Sequence, residues 1–434
     1  MSFQQGLSGL NATAKSLEVI GNNIANANTI GAKASRAEFS TLFAASLNGT
    51  GTTGPGIGVQ MQTVAQQFSQ GNISSTENTM DLAINGRGFF MFQQPDGKEV
   101  YGRNGQLKLD RNNYVVNGLG DKLLAKPWDE RANRAEGEPK PVQVPQGGGN
   151  AIQTGAGPVP SLQGIKMTMN FDAGSAIIPV AVPRVNFNNP LTFNYSTSQT
   201  VYDGQGLPLT LSYFFQKTNI NEWNVYGAIN GVPFDQASGV AYDPTVNDPA
   251  PFISVAFGAD GRLLSTSATE TTLAVNDPRV PSSPPVLFTA LPFKFGGVTQ
   301  FGAAFSISEL KQDGYAFGKL TGINFDPNGV VKATYSNGRY INLFQLQLAD
   351  FPNVQGLSPL GGNVWETTFD AGSKVVNSPG ANSAGLVQSG ALEESNIDLT
   401  EELVNMITAQ RVYQANAQTI KTVDQVLQTL VNLR

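Results

Sequence analysis

The stretch DLTEELVNMITAQRVYQANAQTIKTVDQVLQTLVNLR, residues 398–434, decides how the rest of the chain is read. Within it Leu399, Leu403, Met406, Gln410, Tyr413, Ala417, Ile420, Asp424, Leu427 and Val431 fall at alternating spacings of four and three. That alternation draws a narrow stripe along one side of an α-helix, the a/d seam of a coiled coil. Asp398 and Glu401 supply the cap at its start. The residues from Leu399 to Leu433, at about 1.5 Å each, make a rod of roughly 52 Å, far longer than an ordinary globular helix. Two seam positions, Gln410 and Asp424, are polar, and polar seam residues set register or partner number at some cost in stability.

The opposite end carries a twin of this pattern. Phe3, Leu7, Leu10, Ala14, Leu17, Gly21 and Ile24 repeat the four-three alternation, and Ser2 with Gln5 forms a capping-box pattern at the very start. Gly21, followed by Asn22, Asn23, Asn26, Asn28 and Gly31, weakens helical tendency, so the helix is expected to loosen there. A generic amphipathic segment packs on its own domain. The length, the narrow stripe and its duplication predict instead a helical pair that associates with other chains, because a lone subunit cannot bury both sides of each stripe.

Between the ends the period shortens to two. Strand-like runs include Met80 to Ile84, Phe89 to Phe92, Leu107 to Leu109, Tyr114 to Val116, Leu207 to Phe215, Phe252 to Phe257, Val330 to Tyr335 and Ile341 to Leu348. Asp96-Gly97, Asn104-Gly105, Asn117-Gly118, Asp203-Gly204, Asp260-Gly261, Asn328-Gly329 and Asn337-Gly338 punctuate them, each suited to a tight hairpin turn. The middle therefore reads as antiparallel β. A linker-like stretch at Val142 to Pro160, and a second break at Pro281 to Pro285 or at Gly296-Gly297, bracket an insertion. The expected fold is mainly β with α-helical termini: nested, discontinuous β domains under an N/C-terminal coiled-coil layer. Its expected parts are a helical domain of 1–24 and 393–434, connecting segments 25–71 and 366–392, an inner β domain of 72–147 and 299–365, and an outer β insertion of 148–298.

Composition agrees with several folded domains, since 434 residues exceed the usual size of one. Asp, Glu, Lys and Arg make up only 14% of the chain, against about 25% in ordinary proteins, so amides and hydroxyls cover much of the surface. The net charge of −6 offers nothing to nucleic acid or an anionic membrane. With no His and no Cys, imidazole chemistry, thiol nucleophiles, Cys/His zinc sites and disulfides are excluded. The missing thiols point weakly to export into an oxidising space. No apolar run is long enough to span a bilayer, and residues 1 to 20 lack the pattern of a cleaved signal.

Candidate chemistry is thin. Gly54-Pro55-Gly56-Ile57-Gly58 and Asn85-Gly86-Arg87-Gly88 lack the strand, helix and Lys-Ser/Thr context of a phosphate loop, and read as turns or linkers. Acid pairs such as Asp96 and Glu99, Glu136 and Glu138, or Glu393 and Glu394 read as solvated carboxylates rather than a glycosidase pair. Trp223 sits in an alternating strand pattern that aims it at a core. No catalytic, cofactor-binding or metal-binding residue is expected.

Leu7-Ser8-Gly9-Leu10-Asn11-Ala12 followed by Gly21-Asn22-Asn23-Ile24-Ala25-Asn26 is similar to the N-terminal signature of the bacterial flagellar axial proteins, the rod-and-hook family. Gly390-Ala391-Leu392-Glu393, Ser395-Asn396-Ile397-Asp398, Glu402-Leu403-Val404 and Ala409-Gln410-Arg411-Val412-Tyr413-Gln414-Ala415-Asn416 resemble its C-terminal signature. Met80-Asp81-Leu82-Ala83-Ile84 with Gly88-Phe89-Phe90, and Arg103-Asn104-Gly105-Gln106-Leu107, resemble its first β domain. Ala32 departs from the aromatic usual in the family between Gly31 and Lys33.

The resemblance implies a structural, non-enzymatic subunit, exported unfolded through the flagellar type III apparatus, that polymerises with its terminal helices around a central channel and its β domains radiating outward. Length favours the hook branch of the family, a curved flexible tube outside the cell that carries motor torque. The implied partners are copies of itself, the distal rod protein, the hook-filament junction protein and a cap during growth, without nucleic acid or membrane insertion. Another axial component is the nearer alternative, and a secreted β-rich carbohydrate-active enzyme or binding module the distant one.

Overall fold

A computed structural model describes residues 2–42, 58–145, 151–158, 163–179, 185–233, 250–264, 270–276 and 286–432. The chain is mainly β, with one helix at each end: α1, Ser2–Asn26, and α2, Leu399–Asn432. Asp398 caps α2, its carboxylate accepting from the Thr400 and Glu401 amides at 2.8 and 3.1 Å. This satisfies two of the amides that a helix start leaves free. α1 does not loosen at Gly21: it runs on through Asn22 and Asn23 to Asn26 and ends in a turn closed by the Thr29 amide on the Asn26 carbonyl at 3.0 Å. The Ser2 side chain of the expected capping box lies outside the described ones.

After α1, Ser35–Leu42 and Gly58–Gln66 form an antiparallel ladder that lies along the helix. At Gly58, φ is +140° and an added Cβ would stand 2.2 Å from Ser8 Oγ, so only glycine lets the strand start so close to α1.

The inner unit is one large sheet. In spatial order it runs Leu320–Phe325, Val330–Tyr335, Tyr340–Leu346, Lys122–Asp129, Phe89–Gln93, Glu99–Gly102, Val364–Glu366 and Ser358–Gly361. The strands that precede the insertion lie between those that follow it, so this unit closes only after the chain has gone out and returned. Phe90 and Phe92 face one buried cluster while Phe89 and Met91 face another. Because both faces are covered, Phe89–Gln93 reads as an unbroken apolar run.

The outer unit packs two sheets over a shared core. One holds Ile165–Asp172 beside Val286–Phe295, Thr299–Phe301 and Ser306–Gln312; the other holds Tyr195–Tyr202, Pro208–Asn219, Glu222–Ile229 and Ile253–Ala256. Between them lie Phe171, Phe215, Trp223, Phe293 and Phe295, all fully buried. Trp223 stacks on Phe171 with ring centroids 4.5 Å apart, and its indole N–H donates to Gln300 at 2.9 Å.

Three expectations need correction. The outer unit does not end at 298: Thr299–Phe301 and Ser306–Gln312 both pair with Ile165–Asp172, and Gly297, at φ +79°, turns the chain between outer strands rather than linking domains. The segment 366–392 is no mere connector, since Val375–Asn377 pairs with Leu348–Asp350, Leu386–Ser389 pairs with Leu82–Asn85, and Val387 enters the inner core. Nor is the middle wholly antiparallel. Ile165–Asp172 runs parallel to Val286–Phe295 and Thr299–Phe301, because those strands return to its edge after a long crossover.

Candidate assembly surface of the terminal helices

α1 and α2 lie antiparallel. Gly6 meets Ile420, Gly9 meets Asn416, and Asn23 Nδ2 donates to Glu402 Oε1 at 2.8 Å. A Cβ at Gly6 or Gly9 would come within 3.0 Å of the facing side chain, so the two glycines set how closely the helices approach. The face of α1 turned to the rest of the molecule carries Gly6, Gly9, Thr13, Ser16, Ile20 and Asn23, of which Gly6, Thr13, Ile20 and Asn23 are buried. Each stands one residue before a position of the expected stripe. One residue is about 100° around a helix, so that stripe occupies the neighbouring face.

Leu7 is 43% exposed, Ala14 is exposed, and Leu10, Leu17 and Ile24 are half-buried. The stripe on α2 divides. Met406, Ala417 and Ile420 are half-buried; Leu399, Leu403, Gln410, Tyr413, Asp424 and Leu427 are exposed. Asp424 accepts from Gln428 one turn on, at 3.2 Å. The side chains of Phe3 and Val431 lie outside the described ones. Among its described residues α2 buries none, and Val404, Ile407, Val412 and Val426, outside the expected stripe, are exposed as well. An open groove of about 610 Å³ runs between the helices and the Ser35–Leu42 ladder, lined by Ala12, Ser16, Val19, Phe39, Ala409 and Val412 among others.

The root of the helix pair is polar and buried. Glu393 takes Lys33 Nζ at 2.6 Å and the Gly71 amide at 3.0 Å on one oxygen, and Arg103 at 3.1 Å on the other. The Lys33 and Glu393 side chains are fully buried. Burial lowers the Lys33 pKa from its ordinary value, and the Glu393 charge beside it opposes that shift. Arg103 lies over the Phe89 ring, 5.4 Å from its centroid, and hydrogen-bonds the Gly86 carbonyl at 2.9 Å. Removing one member of such a group strands the other charges without water, at a cost of about 3–5 kcal/mol.

Asn23 and Asn396 complete the root. Asn23 exchanges hydrogen bonds with both the amide and the carbonyl of Ser35, at 2.9 and 2.8 Å. Asn396 accepts from the Ala34 amide at 2.8 Å and donates to the Gln67 carbonyl at 2.8 Å. Of the signature residues, Asn23 does this stitching. Asn22 and Asn26 bond each other across one turn, at 2.9 Å from the Asn26 amide to the Asn22 carbonyl. Ala25 is exposed, and an added Cβ at Gly21 would meet nothing within 4 Å. Ala32 is buried in this root.

Sequence reasoning passed over Gly6, Gly9, Thr13 and Ser16 because none is strongly apolar. Glu393, expected as a solvated carboxylate, is instead fully buried. The signal available was Lys33 and Arg103 within short-spaced Gly-Asn stretches, but their meeting is a matter of tertiary structure. No group of three or more acidic side chains among the described residues could hold a metal ion, and no described helix is long and apolar enough to cross a membrane.

Four family models match successive parts of the chain. They are "Flagella basal body rod protein" over residues 3–33, "Flagellar hook protein FlgE/F/G D1 domain" over 83–158, "Flagellar basal body protein FlaE D2 domain" over 170–315, and "Flagellar basal body rod FlgEFG protein C-terminal" over 388–433. The chain is 36% identical over 437 residues to the flagellar hook protein FlgE of Escherichia coli K12, covering all of both. It is 31% identical over 440 residues to that of Rhizobium meliloti, covering all of this chain and 98% of the relative. The crystal structure of Helicobacter pylori flagellar hook protein FlgE2 has the same fold over 74% of this chain and 100% of that one, with a TM-score of 0.54 at 14% identity. With helices at both ends, nested β units between them and end-to-end likeness to these relatives, the chain belongs to the flagellar hook protein FlgE family.

Proposed function

We propose that the chain is the repeating subunit of the hook, a structural protein without an enzymatic role, and that it polymerises through the outward apolar residues of α1 and α2. The observation that carries this is α2: a helix of 34 residues with no buried side chain among those described and apolar groups on several faces. A helix apolar around much of its circumference belongs inside a larger assembly. Phe3, Leu7, Leu10, Ala14, Leu17 and Ile24 on α1, with Leu399, Leu403, Met406, Tyr413, Ala417, Ile420, Leu427 and Val431 on α2, form the seam, and Gln410 and Asp424 set its register. A head-to-tail contact that does not close on itself builds an open helical tube.

At its ends the tube meets the distal rod protein and the hook-filament junction protein, with a cap during growth, and the subunits arrive through the flagellar type III export apparatus. The helices form the inner layer, and the β units radiate outward, exchanging weak, water-mediated polar contacts as the tube bends under torque. Coverage of the hook relatives over their whole length supports the hook over a shorter rod subunit.

Leu403 is 45% exposed, which makes Leu403→Asp the clean test. The monomer should melt within about 0.5 kcal/mol of wild type, while tubes vanish from sedimentation and electron micrographs. Tubes formed by this variant at the wild-type concentration would remove the seam. Ile420 is less suitable, because it also touches Gly6 within the subunit.

A further inference from the structure

Phe369 on the inner unit is 99% exposed, the barest large apolar side chain among the described residues. It is not on a loose loop. It opens the short 3-10 turn Phe369–Ala371, in which Thr368 Oγ accepts from the Asp370 amide at 3.2 Å and donates to the Gly356 carbonyl at 2.6 Å. Asn353 ties the Asp370 carbonyl at 3.0 Å, and Ala371 is fully buried beneath, so close to Gly356 that a Cβ there would lie 2.4 Å from its amide. The backbone thus holds the phenyl ring out in water. Ion pairs flank it, Lys98 with Glu366 at 2.7 Å and Lys374 with Glu99. An aromatic anchor on a rigid base inside a polar rim is the anatomy of an interface hot spot.

The same end of the sheet carries a hole. A cavity of about 220 Å³ opens between Phe92, Leu119 and Val364, beside Gly102 and Gly118. Asn104, Asn117 and Asn363 also line it; apolar cavities of about 150 Å³ take up a benzene molecule, so by volume a phenyl group fits. Val364 begins the strand Val364–Glu366, and Phe369 follows three residues after its end. Knob and hole therefore stand at opposite ends of one short strand, held apart by it. Complementary features at two ends of a rigid element satisfy each other only between molecules, and the contact repeats without closing.

We propose that Phe369 of one copy seats in the Phe92, Leu119 and Val364 hole of a second copy, giving the inner β layer its own contact between subunits. The inference rests on the polymerisation proposed above and adds a partner surface to it. Because the chain has no cysteine, the contact can be trapped directly. Asp370→Cys chains, which keep the phenyl ring, are mixed with tagged Gly118→Cys chains, where an added Cβ meets nothing within 4 Å; they are assembled and oxidised, and the mixed disulfide pair is sought by size.

It should form in tubes and be absent from dilute monomer. Phe369→Ala, which leaves the monomer fold unchanged, should raise the concentration needed for assembly at least about tenfold. Tubes that form without the mixed pair, or Phe369→Ala assembling at the wild-type concentration, would overturn this contact alone. Failure of the wild-type chain to form tubes at any concentration would overturn the polymerisation reading and this contact with it.

Discussion

The outer β unit and the terminal helix pair solve the problem of apolar surface in opposite ways. The outer unit closes Phe171, Tyr213, Phe215, Trp223, Phe293 and Phe295 completely inside its own two sheets. The helix pair leaves Leu7, Leu399, Leu403, Ile407 and Leu427 in solvent and makes its internal contact through Gly6 on Ile420, Gly9 on Asn416 and Asn23 on Glu402. One region is complete within a single molecule; the other keeps its apolar groups for neighbours. The difference teaches where cooperation between subunits has to lie, because a close-packed core has no apolar surface left to share.

The comparison breaks most sharply at Trp223. Trp223→Ala should cost the outer unit about 3–5 kcal/mol, read as a fall in its melting transition while tubes still assemble through the helices. A loss below about 1 kcal/mol would show that this core is not close-packed. A smaller effect is expected inside the helix pair. Gly9→Val places a branched side chain where even a Cβ lies 3.0 Å from Asn416, and overpacking should outweigh the gain in helix propensity, for a net loss of about 1–2 kcal/mol. Faster amide exchange along α1 and α2, with the β units unchanged, checks it; unchanged protection would mean that the helices do not meet there.

The smallest effect concerns Glu309, which pairs with Lys166 on the neighbouring outer strand and with Lys311 on its own, each at 2.9 Å. Hydrogen bonds from those two lysines lower its pKa from the ordinary 4.5 to about 2. A carboxyl whose folded pKa is depressed contributes fully above the unfolded value and loses that contribution as pH falls through the folded one. The outer unit should therefore lose a small part of its stability between pH 4.5 and about 2, and Glu309→Gln should flatten that limb of an acid titration. An unchanged limb would mean that solvent screens the pair completely.

Much of this was legible in residues. The C-terminal helix is expected from Leu399 and is found as Leu399–Asn432, with Asp398 as its cap. Val330 to Tyr335 is a strand over the range its alternation indicates. Gly97, Gly261, Gly329 and Gly338 all take positive φ at their expected turns, whereas Gly105, Gly118 and Gly204 do not. At Gly105 the demand is a close approach instead, an added Cβ falling 1.7 Å from the Leu82 carbonyl oxygen.

What escaped has a common cause. The Gly6, Gly9, Thr13, Ser16, Ile20 and Asn23 face of α1 is invisible to a search for apolar period, since Ile20 is its one strongly apolar residue and its glycines act by letting the facing helix approach. The strands at 299–301 and 306–312 joined the outer sheet because Ile165–Asp172 had free edges to pair, and an edge is a property of the assembled sheet.

By itself the sequence determined the helical ends, the β middle with its turns, and the absence of thiol and imidazole chemistry, because these follow from local period, φ preference and residue inventory. Only the tertiary structure decided which face of α1 looks inward, where the outer unit ends, and that Lys33 and Arg103 converge on Glu393 across 360 and 290 residues of chain. Those outcomes depend on distance through space between segments far apart in order, and no local pattern encodes which distant groups will be desolvated together.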